Sequence, residues 1–311
     1  MSLKPLNGTL VEEFLLLGLT EDSSLQRILF PVFLAVYLLN LTGNLSIMGI
    51  VISACNLHTP MYFFLCNLSV LDICYSSVSV PKLLHSFLTQ QRGISAWACL
   101  TQMHFFHLVG SSEALLVAVM SYDRYAAICK PLHYSTMMKK RTCVLLALGS
   151  WLGGFMHSLL HTLFTVQLPF CGSNRVNHFF CDIKPLLKLA CADTTLNMYI
   201  LALGAGSLVL VTFLLIVLSY IFIGSALLRI RSSAARLRAF STCVSHLLVV
   251  ILLYGTAFFT YARPANEESL YIDRSATIIF SVVTPMLNPF IYSLRNQDVH
   301  RATKRLLRIP G

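Results

Sequence analysis

The chain has 311 residues, of which 56% are hydrophobic and only 12% are charged. Soluble domains average about 25% charged residues, so this composition excludes a soluble globule, a secreted disulfide domain and a disordered chain. The net charge of +10 is too thinly spread for the dense basic face that nucleic-acid binding needs. Asp, Glu, Lys and Arg are absent from residues 28–71, 142–174, 194–228, 239–262 and 275–294. Because an apolar stretch of about 20 residues spans a bilayer as a helix, the sequence predicts a polytopic membrane protein.

The apolar stretches predict seven spanning helices, because the segment CNLHTP at 55–60 divides the longest stretch into two. The predicted helices cover residues 26–54, 59–87, 96–127, 142–165, 197–228, 239–262 and 272–294. We therefore predict one all-α, seven-helix domain, with a tail at 1–25 and another at 295–311. The second tail mixes Val299, Leu306 and Leu307 with basic residues, which predicts a short amphipathic helix at the membrane surface.

The distribution of basic residues predicts the orientation. Segments around 124–141, 229–238 and 295–311 hold 14 of the 23 Lys and Arg and, with Asp123 and Asp298, a net charge of +12. The rest of the chain has a net charge of −2. Basic loops stay on the cytoplasmic side, so we expect an extracellular N-terminus and a cytoplasmic C-terminus. The sequon at Asn7 would then be open to glycosylation.

Four of the ten cysteines fall on the predicted outer face, where disulfides can form. Cys99 lies near the start of the third helix, and Cys171, Cys181 and Cys191 share the loop 167–196. Four cysteines allow three pairings. We favour Cys99 with Cys181 and Cys171 with Cys191, because the second pair would close a compact loop over the bundle.

Two carboxylates lie within predicted helices, Asp72 in the second and Glu113 in the third. Because a carboxylate in hydrocarbon is costly, each is a functional candidate. Asn44 and Asn288 lie at a similar depth, which suggests one polar cluster of these four residues. Two close carboxylates cannot both ionise without a shared cation or proton. A bound sodium ion would satisfy both, and the alternative is a protonated, hydrogen-bonded pair that holds the helices together.

The predicted cytoplasmic ends of the helices carry groups that can switch between partners. Arg124 can pair with Asp123 or reach a group such as Tyr220, which gives two discrete states. Pro285 and Pro289 predict a kinked seventh helix. These features favour a signal transducer over a rigid pore.

Several segments, in order, resemble the signatures of odorant receptors and together cover nearly the whole chain. They read GN at 43–44, LHTPMYFFL at 57–65, MSYDRYAAIC at 120–129, KPLHY at 130–134, SY at 219–220, RAFSTCVSH at 238–246 and PMLNPFIYSLRN at 285–296. The loop NHFFCD at 177–182 is similar to the tetrapod-type (class II) branch of the family. Ser121 and Ala126 stand where the family often has Ala and Val.

The resemblance implies a rhodopsin-like receptor, not an enzyme, that binds volatile small molecules and activates a stimulatory, olfactory-type G protein to raise cyclic AMP. It also implies residence in the plasma membrane with help from trafficking accessory proteins. The activation and coupling residues that it implies are Asp123, Arg124, Tyr125, Tyr220 and Tyr292. The basic residues of segments 130–141 and 229–238 also predict attraction to anionic membrane lipid. The alternative is a rhodopsin-like receptor for a non-odorant small molecule.

The resemblance places the ligand in the outer half of the bundle, between the third, fifth, sixth and seventh helices. Residues three or four positions apart share one face of a helix. The expected lining is Phe106, His107, Gly110, Ser111, Ala114, His161, Gly204, Ala205, Leu208, Tyr254, Ala257, Phe258, Tyr261, Ile278 and Ser281. This mostly apolar lining suits a small hydrophobic ligand. Because Phe106 stands where aminergic receptors have a carboxylate, a cationic amine lacks its usual partner.

Four histidines, His104, His107, His157 and His161, lie in the outer halves of the third and fourth helices. Imidazoles could bind Cu or Zn and recruit a sulfur-containing odorant. We assign no metal, and favour a direct hydrogen bond from His107 or His161 to the odorant, with structural roles for the other two.

Two other classes of membrane protein would leave different patterns in the sequence. A secondary transporter would show internal repeats and broken helices in both halves. A membrane enzyme would need a catalytic cluster, such as the motif His-Glu-x-x-His. The sequence contains neither pattern, which leaves the receptor as the favoured interpretation.

Overall fold

The computed structural model describes residues 11–171, 173–261 and 274–294, together with Val299 and Arg301. Within its helices, it leaves out the side chains at 234, 235, 238, 242, 257, 259–261, 293 and 294. Seven helices are long and apolar enough to cross a membrane, which confirms the predicted seven-helix fold. These seven spans are Ser23–Ser53, Pro60–Thr89, Ala96–Cys129, Lys140–Val166, Thr195–Arg229, Ser233–Tyr261 and Arg274–Tyr292. Val299 and Arg301, beyond the seventh span, are also helical.

Capping residues explain where several spans begin. Asp22 accepts a hydrogen bond of 2.8 Å from the Ser24 N–H at the start of the first span. Ser95 accepts one of 3.3 Å from the Ala98 N–H at the start of the third. Pro60 opens the second span, where its missing N–H costs nothing.

The link between the fifth and sixth spans is shorter than the sequence indicated. The fifth span ends at Arg229 and the sixth begins at Ser233, so most of the predicted loop 229–238 is helical. The segment 234–238 consists of Ala, Arg and Leu, which are strong helix formers, so the sixth helix extends beyond its apolar stretch.

The third span is central and packs against the second, fourth, fifth and sixth. Its contact with the fourth span depends on Gly154. A Cβ atom at that position would overlap the Ser112 hydroxyl and lie 2.7 Å from the Leu108 carbonyl oxygen. Small residues allow such close approach between spanning helices.

Three short strands, which the sequence did not indicate, cover one end of the bundle, here called the sheet end. They are β1 (Glu13–Leu16), β2 (Gly93–Ser95) and β3 (Arg175–Val176), in the order β2-β1-β3. Strand β1 runs antiparallel to β2 and parallel to β3. Phe14 is buried below the sheet, with its ring 5.3 Å from that of Phe170. Disulfides at this end join Cys99 to Cys181 and Cys171 to Cys191.

The seventh span is irregular directly before its first proline. Residues Ile279–Val283 form a π segment, in which the Thr284 N–H bonds to the carbonyl of Ile279, five residues earlier. Pro285 follows and has no N–H to offer to the turn before it. The irregularity in this helix therefore begins ahead of both prolines.

Candidate functional site

A cavity of about 110 Å³ lies near the sheet end, and six spans and one loop contribute to its wall. Most of the side chains around it are apolar. Of the predicted lining residues, those that do border the cavity are Phe106, His107, Gly110, Ser111, Ala114, Ala205, Leu208 and Tyr254. The side chains of Ala257 and Tyr261 lie outside the described part of the chain.

In the seventh span, the residues that border the cavity are each one position away from the predicted ones. Thr277 and Phe280 border the cavity, whereas Ile278 packs into the apolar core. Ser281 is fully buried, and its hydroxyl donates a hydrogen bond of 2.7 Å to the Thr277 carbonyl. Spacing within one helix identifies residues that share a face, but it does not determine which face points inward.

Three other predicted lining residues also lie away from the cavity wall. His161 is buried behind His157, which borders the cavity in its place. Gly204 lies against His161, where an added Cβ would be 3.2 Å from the imidazole Nε2. Phe258 is 67% exposed, so its ring points away from the bundle.

Several cavity residues were absent from the predicted lining. They are Tyr75, His157, Asp182, Val209, Leu253, Thr277 and Phe280. Tyr75 comes from the second span, which was not expected to contribute. A Cβ at Gly110 would lie 2.7 Å from the Tyr75 hydroxyl, so the glycine makes room for that side chain.

The loop after Cys181 supplies a carboxylate to the cavity. The Asp182 Oδ1 lies 3.2 Å from His107 Nε2 and accepts a hydrogen bond of 2.8 Å from the Ile183 N–H. Burial raises the pKa of Asp182, but the hydrogen bond from His107 and the charges of His107 and His178 outweigh it and lower this pKa to about 2. Asp182 is therefore ionised at neutral pH, and the cavity contains a negative charge that the third span does not provide.

The four histidines form two separate groups. In the first, Ser111 Oγ lies 2.8 Å from His157 Nδ1, and His157 Nε2 lies 3.2 Å from His161 Nε2. His107 belongs to this group, because its ring centroid lies 6.1 Å from that of His161. His104 faces away from this group and contacts other residues of the fourth span.

His104 alone forms the second group. Its Nδ1 lies 3.0 Å from each of the hydroxyls of Ser158 and Thr162. Within the described residues, no group of three or more His, Cys, Asp or Glu side chains could hold a metal ion. His104 therefore links two spans, while His107 and His157 border the cavity.

The predicted polar cluster is only partly joined by hydrogen bonds. Asn288 Nδ2 donates to both carboxylate oxygens of Asp72, at 2.9 and 3.1 Å. Asn44 reaches Asp72 indirectly, through Asn40, whose amide donates to the Asp72 carbonyl at 3.0 Å. Glu113 is fully buried, and neither of its carboxyl oxygens has a hydrogen-bond partner in the described part of the chain. It lies near enough for its charge to repel that of Asp72.

At the other end of the third span, Arg124 pairs with its neighbour Asp123. Their Nη2 and Oδ2 atoms are 2.8 Å apart, and the Tyr134 hydroxyl donates to the second carboxylate oxygen at 2.8 Å. Burial, together with the charge of Asp123, raises the pKa of Tyr134, which therefore keeps its proton. Of the two states expected for Arg124, the structure shows the pair with Asp123.

Tyr220 bonds to a residue that the predicted site did not include. Its hydroxyl lies 2.9 Å from His246 Nδ1, while His246 Nε2 lies 3.0 Å from the Val117 carbonyl. His246 thus connects the third, fifth and sixth spans. A histidine within an apolar stretch is the sequence feature that could have identified it as a site residue. The Tyr292 hydroxyl is buried and has no hydrogen-bond partner among the described residues. The Tyr125 ring packs 5.8 Å from that of Phe222.

Comparisons with known proteins agree over almost the whole chain. The profile of the olfactory receptor family matches residues 33–309. Olfactory receptor 12D1 of Homo sapiens is 52% identical over 304 residues, which is 97% of this chain and 95% of that protein. Olfactory receptor 12D2 of Homo sapiens is 50% identical over 304 residues, 97% and 99% of the two chains. Olfactory receptor 5AR1 of Mus musculus is 49% identical over 301 residues, 97% of each chain.

Proposed function

The chain belongs to the olfactory receptor family, and from this premise we propose that the cavity bordered by Phe106, His107 and His157 is its odorant site. The protein is an odorant receptor of the seven-span, G-protein-coupled type in the plasma membrane, and it is not an enzyme.

The size and lining of the cavity carry the proposal on ligand chemistry. An engineered apolar cavity of about 150 Å³ accepts benzene, so about 110 Å³ suits a small odorant, and a larger one must displace side chains. Ser111 and His157 present a hydroxyl and an imidazole in a mostly apolar wall. The Asp182 carboxylate is already hydrogen-bonded to His107. We therefore expect a neutral, mostly apolar odorant with one carbonyl or hydroxyl group.

The proposed orientation puts the sheet end outside the cell and the Asp123–Arg124 end in the cytoplasm. The two disulfides of the sheet end support it, because disulfides persist in oxidising compartments. The excess of basic residues in 124–141, 229–238 and 295–311 supports it through the positive-inside rule. Asn7, the proposed glycosylation site, lies outside the described residues. A tag at the N-terminus should be stained on intact cells, and Asn7→Gln should remove a glycan-dependent shift in gel mobility.

Asp72 and Glu113 are proposed to share a sodium ion. The oxygen atoms of Glu113, Asn288 Oδ1 and Asn44 Oδ1 are buried and have no hydrogen-bond partner in the described part of the chain. A buried polar group without a partner is costly, and sodium prefers oxygen ligands. A cation would also offset the repulsion between the two carboxylates.

Sodium binding is tested with the purified full-length receptor. Its melting temperature should be higher in sodium chloride than in choline chloride at equal ionic strength, and Glu113→Gln should abolish that difference. Glu12→Gln, which changes an exposed carboxylate, is the matched control and should preserve it. A wild-type receptor indifferent to sodium would favour the protonated pair instead.

On the proposed cytoplasmic side, we assign the contact with a stimulatory, olfactory-type G protein to Arg124 and the helix ends around it. The pair of Arg124 with Asp123 supplies one of the two states that a switch requires. The surrounding basic residues are proposed to attract anionic lipid. Trafficking accessory proteins are proposed as further partners because of the family.

An odorant panel in cells with a cyclic AMP reporter tests the proposed function. The wild-type receptor should respond in a dose-dependent way to small odorants with a carbonyl or hydroxyl group. Arg124→Ala should reach the surface but give no response. A cyclic AMP signal that persists in Arg124→Ala would contradict the coupling role, and a response confined to pure hydrocarbons would contradict the ligand class.

A further inference from the structure

A second cavity, of about 610 Å³, opens on the membrane-facing side of the third, fourth and fifth spans. We call it the lipid-facing groove. Residues on its wall include Val119, Tyr122 and Tyr125 of the third span, Gly149 of the fourth, and Leu215 and Phe222 of the fifth. It shares no lining residue with the odorant cavity.

Glycines in the fourth span account for the shape of the groove. At Gly153 an added Cβ would lie 2.8 Å from Leu115 Cδ1, and at Gly154 it would overlap the Ser112 hydroxyl. The third and fourth spans are therefore in close contact there. One turn away, a Cβ at Gly149 would meet nothing within 4 Å, so the helix backbone forms an open floor.

The wall of the groove is apolar and meets the bilayer. Leu145, Leu215, Leu218 and Phe222 are about half-exposed, and all lie within spans that cross the membrane. Such side chains face hydrocarbon rather than water, so any ligand of the groove must enter from the lipid phase. The wall contains no Asp, Glu, Lys or Arg, and it therefore offers no partner to the charged headgroup of a phospholipid.

The groove has one polar end, which is formed by the hydroxyls of Tyr122 and Tyr125. Their ring centroids are 6.2 Å apart, and neither hydroxyl takes part in a hydrogen bond within the described part of the chain. The other hydroxyls are already used, because Ser150, Thr212 and Ser219 donate to carbonyls of their own helices at 2.7–3.0 Å. The free donors therefore lie beside the Asp123–Arg124 pair.

We propose that the lipid-facing groove binds a membrane sterol. A sterol combines a rigid, flat apolar body with a single hydroxyl, and the groove combines a long apolar wall, a flat floor at Gly149 and an uncharged polar end. The hydrocarbon tail of a phospholipid has no polar group for the tyrosine hydroxyls. The sequence also contains Val119, Tyr122 and Arg124 at the spacing suggested for sterol contact, and two of these three residues border the groove.

The test uses the full-length receptor in phosphatidylcholine vesicles that contain a photoreactive cholesterol analogue. Labelling should map to peptides within 115–125, 145–150 or 211–222, and unlabelled cholesterol should compete for it. Gly149→Leu fills the floor and should reduce labelling by at least about tenfold, the usual effect of one misplaced methylene in an apolar pocket. Tyr122→Phe removes one hydroxyl and should reduce labelling about fivefold, as expected for one lost hydrogen bond.

The matched control is Gly49→Leu in the first span, where an added Cβ also meets nothing within 4 Å. This variant should be labelled like the wild type. The proposal is overturned if Gly49→Leu loses as much labelling as Gly149→Leu, or if Tyr122→Phe loses none. It is also overturned if an odorant, but not cholesterol, competes with the analogue, because the groove would then be a second odorant site.

Discussion

The side-chain amide of Asn44 in the first span donates a hydrogen bond of 3.2 Å to the carbonyl oxygen of Pro285 in the seventh. Pro289 lies four residues further along the helix and has no N–H, so this carbonyl has no helical donor. Gly43 permits the close approach, since a Cβ there would lie 3.1 Å from the Pro289 ring. In the first span, Asn44 thus bonds to the Pro285 carbonyl and Gly43 makes room for the Pro289 ring.

A double-mutant cycle tests that relationship. Asn44→Ala should lower the melting temperature of the purified receptor by about 2–4 °C, because one interhelical hydrogen bond contributes about 1 kcal/mol. In a Pro289→Ala background the same change should cost less than half as much, because the restored N–H can bond to the Pro285 carbonyl. Thr42→Val is the control, since the Thr42 hydroxyl bonds only within its own helix. Equal losses in both backgrounds would show that Asn44 stabilises the fold in another way.

The fourth span allows two glycines of one helix to be compared. Gly154→Ala should lower the melting temperature, because its Cβ would overlap the Ser112 hydroxyl and force the third and fourth spans apart, at a cost of about 1–3 kcal/mol. Gly149→Ala adds the same atom where there is space, so it should be neutral or stabilising by up to about 1 kcal/mol. Thermal unfolding of both variants in one detergent checks this. A Gly154→Ala variant as stable as Gly149→Ala would mean that the two spans can separate at no cost.

The sequence was sufficient to predict the parts of the fold that follow from the local composition of the chain. Charge-free stretches revealed the seven spans, and intramembrane polar residues identified Asp72 and Asn288, which the structure joins. The three strands at the sheet end left no such signal. They have only two to four residues each, and pair segments as distant as Leu15 and Arg175, so they form through tertiary contacts rather than local preference.

Site residues were harder to predict than spans because a helical pattern leaves the phase of the helix open. In the seventh span, the expected Ile278 and Ser281 share one face, but the neighbouring face with Thr277 and Phe280 points inward. The contribution of Asp182 could not follow from periodicity, because it belongs to a loop that is drawn to the cavity by tertiary contacts. These positions are decided by how elements pack, which spacing in one sequence does not specify.

His157 and His104 should respond differently to the same substitution. His157→Phe keeps a ring at the cavity wall but removes the polar atom that faces Ser111. The half-maximal concentration for an odorant with a carbonyl or hydroxyl should rise about tenfold, with little change for a hydrocarbon of similar shape. His104→Phe removes contacts with Ser158 and Thr162 only, so it should reduce stability and surface level without altering odorant preference. Equal shifts for both odorants in His157→Phe would contradict its role as a polar contact.

Beneath the sheet end, His178 should make the receptor sensitive to acid. It is 3% exposed and stacks on Phe179 at 4.7 Å. Burial lowers the pKa of His178 to about 4, since the opposing effect of the Asp182 charge is too small to offset it and the Arg274 charge adds to it. An unfolded chain would hold this histidine near its usual pKa of about 6.5. Between these values, only the unfolded state binds the proton, so stability falls as the pH drops from about 6.5 to about 4 and changes little below that.

His178→Phe isolates this contribution, because it keeps an aromatic ring in the stack and removes the titrating group. The wild-type melting temperature should fall between about pH 7.5 and about pH 5, and the variant should lose less, within a ceiling of roughly 2 kcal/mol for the difference. Asp182 does not interfere with this measurement. Its pKa of about 2 keeps it ionised throughout this range, so its contribution to stability is constant there. Identical losses in the two proteins would place the acid sensitivity at another group and show that the His178 site admits a proton without cost.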